Sequence, residues 1–242
     1  MIPHEKRFYR TRTAAAEWAS FTVQVKESDL WIRSRKDLSR EAYEILYQMR
    51  YPVETYIRQH PEFRDALVPL GPDPLAPALI REMLQAGRQA GVGPMAAVAG
   101  AIAEGVGRAL QTWSPEIIIE NGGDLFLACR EPLTVGLYAG RSSLSGRIGV
   151  ALPPCPEGVG LCTSSGTVGH SLSFGRADAV TVLAASTALA DAAATAVGNG
   201  VRIGKDIPEA LERGRAISGV EGLLIVVGEQ LGVWGGLEIV RL

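Results

Sequence analysis

Between Ser20 and Ser34 the chain alternates apolar and polar residues in two short runs, SFTVQV and DLWIRS, separated by KES at 26–28. A period of two in stretches rich in β-branched and aromatic residues predicts a hairpin. The period then lengthens. Leu38, Ala42, Ile45, Leu46 and Met49 recur at about 3.6 residues, which predicts a helix with Asp37 at its N-cap and Pro52 as a kink or stop. An irregular connection follows at 68–77, where VPLGPDPLAP carries four prolines, and helices are expected over about 75–90 and 95–111.

Strand patterns return with EIIIE and DLFLAC on either side of NGG, then TVGLYAG, IGVAL, GVGLC and AVTVLA. Two more helices, over about 187–197 and 206–215, precede the closing strands GLLIVVG and GGLEIVR. The order strands, helices, strands therefore occurs twice. A double ββααββ order predicts an α+β fold of antiparallel sheets with helices packed on one face. The halves, about 15–130 and 131–242, are expected to interlock within one domain spanning 1–242, since no flexible linker separates them.

Composition adds an asymmetry to this pattern. Residues 1–90 hold 26 of the 50 charged side chains, so the remainder is expected to be the more buried part. With 47% hydrophobic and 21% charged residues the chain has enough apolar material for a core, which excludes a disordered or fibrous class. A net charge of −2 offers no basic surface for nucleic acid. The charged start MIPHEKRFYRTRT and the lack of an 18-residue apolar run predict a cytoplasmic protein with no membrane partner. Cys129, Cys155 and Cys162 lack CxxC spacing and are expected to be reduced, structural thiols.

Candidate chemistry lies where apolar segments carry isolated polar groups. The expected helix MAAVAGAIAEGVGRALQ is built of small residues, and each glycine costs it about 1 kcal/mol. Gly100, Gly105 and Gly107 therefore suggest contact with another backbone. In TALADAAATAVGNG, Asp191 and Thr195 are four residues apart and share one helix face. A carboxylate and a hydroxyl so placed suit a hard cation such as magnesium; equally, Asp191 can favour the helix N-terminus while Thr195 bonds back to a carbonyl. ENGGD at 120–124 reads as a tight turn at Gly122 and Gly123, with Glu120, Asn121 and Asp124 at its tip as candidate pocket residues. LCTSSGTVGH at 161–170 admits three readings: a Ser–His dyad, a ligand loop or a plain turn. No G-x-S-x-G elbow supports the dyad, and the glycines and hydroxyls suit phosphate or ribose.

The segments GAIAEG (100–105), NGGD (121–124), CTSSG with the later His170, and ADAAATA (190–196) stand in an order that resembles the marker segments of the ApbE flavin transferases. GVGPMAAVAGAIAEG, ENGGD and TSSGTVGHSLSFGRADAV look closer still to a prokaryotic branch of that superfamily. The resemblance implies a tandem of two T-fold units. It also implies magnesium-dependent splitting of FAD with transfer of the FMN portion to a protein acceptor. Asp191 and Thr195 would then bind the metal together with the carbonyl of Ala103. Thr163, Ser164, Ser165, Gly166 and Thr167 would lie near the nucleotide, and His170 matches the family's histidine. A flavin or other nucleotide, a protein acceptor and a second copy of the chain are the partners expected.

Two departures bear on the chemistry. Glu104 stands where the family has a lysine, beside the expected diphosphate, and can pair with Arg108 one turn later; Glu104 and His170 are the candidate catalytic positions. HSLSFG replaces the family's continuation after the histidine, which removes an aspartate. Two functions follow as expectations: a magnesium-dependent FMN transferase or diphosphate-cleaving enzyme, or a flavin, nucleotide or pterin-binding protein without transfer activity, its planar ligand anchored by Glu120.

Overall fold

The computed structural model describes residues 18–168 and 174–242, and His170 lies outside the described residues. The first hairpin forms as the alternation predicts: β1 (Ala19–Val25) and β2 (Ser28–Ser34) pair antiparallel with Val25 opposite Ser28. Helix α1 (Ser39–Gln59) continues through Pro52 instead of stopping there. An interior proline costs about 3 kcal/mol, but the buried stripe of Ala42, Leu46 and Val53 runs across it. Arg50 also ties this turn down, donating to Ser28 Oγ at 2.6 Å and to Glu54 at 3.1 Å. The short α2 (Pro61–Asp65) has no periodicity to announce it. Helix α3 (Ala78–Ala90) ends at Gly91 in the left-handed region, and a 3-10 turn at Pro94–Ala97 leads into α4 (Val98–Leu110).

Strands β3 (Ile117–Asn121) and β4 (Asp124–Cys129) form the second hairpin. After β5 (Leu133–Gly136) and β6 (Ile148–Leu152) come β7 (Cys155–Ser164), β8 (Ala179–Ala184), α5 (Thr187–Asn199), α6 (Ile207–Arg215), β9 (Val220–Val227), β10 (Gln230–Gly235) and β11 (Glu238–Arg241). The closing segment thus holds three strands where the pattern suggested two. The added strand β10, QLGVWG, pairs antiparallel with β9, and α6 packs so closely on it that a Cβ at Gly232 would strike Ile207.

Eight strands form one antiparallel sheet in the order β1-β2-β3-β4-β7-β8-β9-β10. The two four-stranded sets expected from the repeated element order share this sheet, joined edge to edge where β4 meets β7. All helices that enter the core lie on one face. Ile117, Ile119, Phe126 and Ala128 pack there with α1, α3 and α4, while Val180, Val182, Leu223 and Ile225 pack with α5 and α6. A smaller sheet, β11-β6-β5, covers the other face, setting Val150, Leu152 and Leu237 against Ile118, Leu127, Leu161, Leu183 and Leu224. Burial on both faces explains why β3, β8 and β9 are continuous apolar runs and not alternating ones. No single helix among the described residues is long and apolar enough to cross a membrane; the apolar pair Ala78–Ala90 and Pro94–Leu110 is bent by 106°.

Candidate active site

Helix α5 is wedged between α3 and α4 on one side and β7 and β8 on the other. Its first residue, Thr187, sits in a slot made by two glycines. A Cβ at Gly100 of α4 would overlap Thr187 O, and one at Gly160 of β7 would come within 2.9 Å of Thr187 N. The glycines of α4 thus serve different neighbours: Gly100 meets a backbone, Gly105 faces the Met49 sulfur, and Gly107 lies against the Phe126 ring. The exposed amides of the α5 N-terminus need acceptors. Ser186 Oγ accepts from Leu189 N at 3.3 Å, and Glu104 Oε2 accepts from Thr187 N at 2.7 Å. The other Glu104 oxygen accepts from Arg108 Nε at 2.8 Å. Glu104 is therefore a cap supplied by a neighbouring helix, where a negative charge suits the dipole.

One turn into α5, Asp191 points back at the start of α4, and its Oδ2 accepts from Gly100 N at 2.9 Å. Asp124 opens β4 directly opposite Cys162 on β7. The Cys162 side chain lies beside Asp124 across the strands, and its thiol donates to Thr187 O at 3.4 Å. These contacts bring together positions 124, 162 and 191, which are far apart in sequence. Burial, followed by the Asp124 charge, holds the Asp191 carboxyl well above the usual carboxylate range. Asp124 is pushed up to about 7, again first by burial, with the Glu120 charge adding to it and bonds from Cys162 and Thr163 N opposing it. Neither carboxylate has an ion-pair partner among the described residues. Half-buried carboxylates drawn so close together either retain a proton or recruit a cation.

Alternation along the strands sorts the remaining candidates by face. Asn121 shares the helix face with Ile119 and Asp124, and its Nδ2 donates to Ala99 O at 3.1 Å. Glu120 belongs to the opposite face, opposite Trp31 and Leu125 in register, and is buried there. Gly122 and Gly123 make the tight turn at φ 77° and 146°, as the sequence predicts. On β7, Thr163 turns away from the helices to meet Thr181 Oγ1 at 2.8 Å, whereas Ser164 faces Gly198 in the last turn of α5. Beyond β7 the loop satisfies itself. Ser165 Oγ accepts from Thr167 N and Val168 N at 3.1 and 3.0 Å, Thr167 Oγ1 lies 3.2 Å from Asp178, and Gly166 N donates to Ala177 O at 2.9 Å. The helix face of the sheet and the facing side of α5 therefore carry Asn121, Asp124, Ser164, Asp191 and the partly exposed Thr195, which define the candidate helix-side cleft.

A family model described as AbpE bacteria matches residues 10–233. The chain belongs to this family. A relative, the UPF0280 protein MJ1526 of Methanocaldococcus jannaschii, is 41% identical over 232 residues, covering 93% of this chain and 94% of its own. Among solved structures, the apo flavinyl transferase ApbE of Pseudomonas stutzeri superimposes with a TM-score of 0.57 at 15% identity, over 90% of this chain and 94% of its own. The ApbE protein of Thermotoga maritima gives 0.58 at 14% identity, over 89% and 96%. At these identities the likeness to the solved structures is one of fold.

Among the described residues no three His, Cys, Asp or Glu side chains are arranged to enclose an ion. Ala103 is buried in the middle of α4. Sequence reasoning missed Cys162, whose part rests on its register opposite Asp124. It also missed Thr187, whose buried hydroxyl has no hydrogen-bond partner. The signal for Cys162 was present in the alternation of GVGLCTS, which places it on the same face as Ser164.

Proposed function

We propose that this AbpE-family protein binds a flavin nucleotide by its phosphates in the helix-side cleft, with magnesium at Asp191, Thr195 and the carbonyl of Ala103, and cleaves the diphosphate of FAD in the manner of an FMN transferase. The observation that carries this reading is the half-buried pair Asp124 and Asp191, held up in pKa with no cation among the described residues to balance them. Such a pair fits a hard cation. Few protein oxygens are offered, which suits magnesium, since it keeps positions for water and substrate phosphates. When bound, the ion supplies neutralisation of phosphate charge at the scissile diphosphate. The chain's own residues do the rest. Gly100 N–H orients Asp191, Asn121 anchors the hairpin tip on α4, and Ser164 offers a hydroxyl toward the end of α5. Glu104, the residue that stands at the lysine of the resembling enzymes, has its charge committed to Thr187 N and Arg108, so it acts as a positioning residue and does not oppose the leaving phosphate. His170 is proposed to complete the site.

A second reading, nucleotide binding without transfer, draws support from the same position: Glu104 leaves the cleft without the lysine cation that would favour charge developing in the transition state. Incubation with FAD and magnesium, followed by chromatography for AMP and FMN, separates the two. Release of AMP that is lost in Asp191→Asn supports cleavage. Intact FAD that binds only in the presence of magnesium supports the second reading, and absence of FAD binding under both conditions rejects both.

A further inference from the structure

On the face of the sheet away from the helices, Cys129 at the end of β4 and Cys155 at the start of β7 are direct cross-strand partners. Directly opposed residues of an antiparallel pair have Cα atoms about 4.5–5.5 Å apart and side chains on one face, inside the span that a disulfide bridges. The two side chains are neighbours across the strands: the neutral Cys155 thiol donates to Leu127 O at 3.5 Å, and once Cys155 ionises the Cys129 thiol beside it favours the thiolate. Their surroundings differ. Cys129 is 4% exposed within the apolar layer under the small sheet. Cys155 is partly exposed and lines a cavity of about 270 Å³ with Leu152, Pro154, Glu157, Val159 and Glu221. Between Leu127 and Cys129 the register slips, so that Pro156, Glu157 and Gly158 bulge from β7 and form part of this cavity wall.

We propose that Cys129 and Cys155 are a redox-active dithiol in which Cys155 is the attacking thiol, Cys129 the resolving one, and the adjoining cavity the entry site for a small disulfide substrate lacking negative charge. The apolar wall accommodates a short aliphatic chain, and Glu157 and Glu221 at the cavity favour a cationic group over an anionic one. The steps balance as follows. The Cys155 thiolate attacks one sulfur of RS–SR, forming Cys155–S–SR and releasing RS⁻, which takes up the proton that Cys155 lost. Cys129 then attacks Cys155 Sγ, forming the cross-strand disulfide, and its proton leaves with the second RS⁻ as RSH. Two protein thiols are oxidised and one external disulfide is reduced to two thiols. Cys155 is suited to the first step because the bond from Cys129 pulls its pKa down to about 6, whereas Cys129 is pushed up by that bond and by burial. Cys162 is excluded from the exchange by its burial beside Asp124.

The test is oxidation of the full native chain with cystamine, read by intact mass and by peptide mapping under non-reducing conditions. Wild-type protein is expected to lose two hydrogens, yield a single Cys129–Cys155 linked peptide and recover three free thiols with dithiothreitol. Cys129→Ser should stop at one cysteamine adduct on Cys155. Cys155→Ser should react at least about tenfold more slowly at Cys129, since the resolving thiol lacks both access and ionisation. Three unmodified thiols in folded wild type, a linkage that involves Cys162, or an undiminished reaction in Cys155→Ser would each overturn the assignment.

Discussion

Of the 21 residues of α1 only Ala42, Leu46 and Val53 are buried, whereas α5, with 13 residues, buries nine. The first helix lies on the surface and shows Tyr43, Tyr47 and Tyr51 to solvent at 52%, 56% and 60% exposure. The second is enclosed between helices and sheet, and Gly100 of α4 and Gly160 of β7 let those backbones close on Thr187. A polar side chain on α1 is answered by water and says little about function. On α5 each polar group must find a protein partner or a ligand. Asp191 finds the amides of α4 and still faces Asp124, and the Thr187 hydroxyl finds nothing. This contrast is why the candidate site sits on the more apolar helix.

The sharpest way to break the contrast is steric. Gly100→Val would drive a branched side chain into Thr187 O and toward Asp191 Cβ, 2.8 Å from the position of a new Cβ, and is expected to cost about 3 kcal/mol or to prevent folding. Urea denaturation measures it. Next in size is Glu104→Lys, which replaces the cap on α5 with a cation facing the helix N-terminus and Arg108. A loss of about 2 kcal/mol is expected, with no gain in FAD affinity; tighter FAD binding with unchanged stability would show that Glu104 faces phosphate instead.

A smaller effect is expected from pH. Asp124 is raised from 3.8 to about 7, so the folded chain retains a proton that the unfolded chain releases. Its contribution is fully present below the unfolded value and is lost as pH rises through the folded one, at no more than about 1.4 kcal/mol per pH unit. Asp124→Asn should flatten thermal stability over that window, and a wild-type profile that rises with pH there would contradict the raised pKa of this carboxyl. The smallest change is expected on α1: Tyr47→Ser, at an exposed position, should shift stability by less than about 0.5 kcal/mol, measured in the same urea series as Gly100→Val.

Much of the architecture is legible along the chain, because strand alternation and helical pitch are properties of neighbouring residues. The hairpin at SFTVQVKESDLWIRS, the helix of Asp191 and Thr195, and the NGG turn all follow from such spacing. Where tertiary packing competes with local preference, the reading fails. Pro52 lies inside α1 where a buried stripe crosses it, and QLGVWG is a strand because it pairs with β9, with Gly232 letting α6 pack close.

The site divides along the same line. That Asp191 and Thr195 share a face is set by a spacing of four in a helix, and that Asn121 and Glu120 point to opposite faces is set by the pleat. What each face meets has no local signature. Asp124 stands beside Cys162 because β4 pairs with β7, and Asp191 faces them because a glycine on each of α4 and β7 admits the end of α5. Glu104 caps α5 for the same reason. Sheet order, register and backbone approach join residues many tens of positions apart, and the energy of these contacts exists only once the core has excluded water from between them.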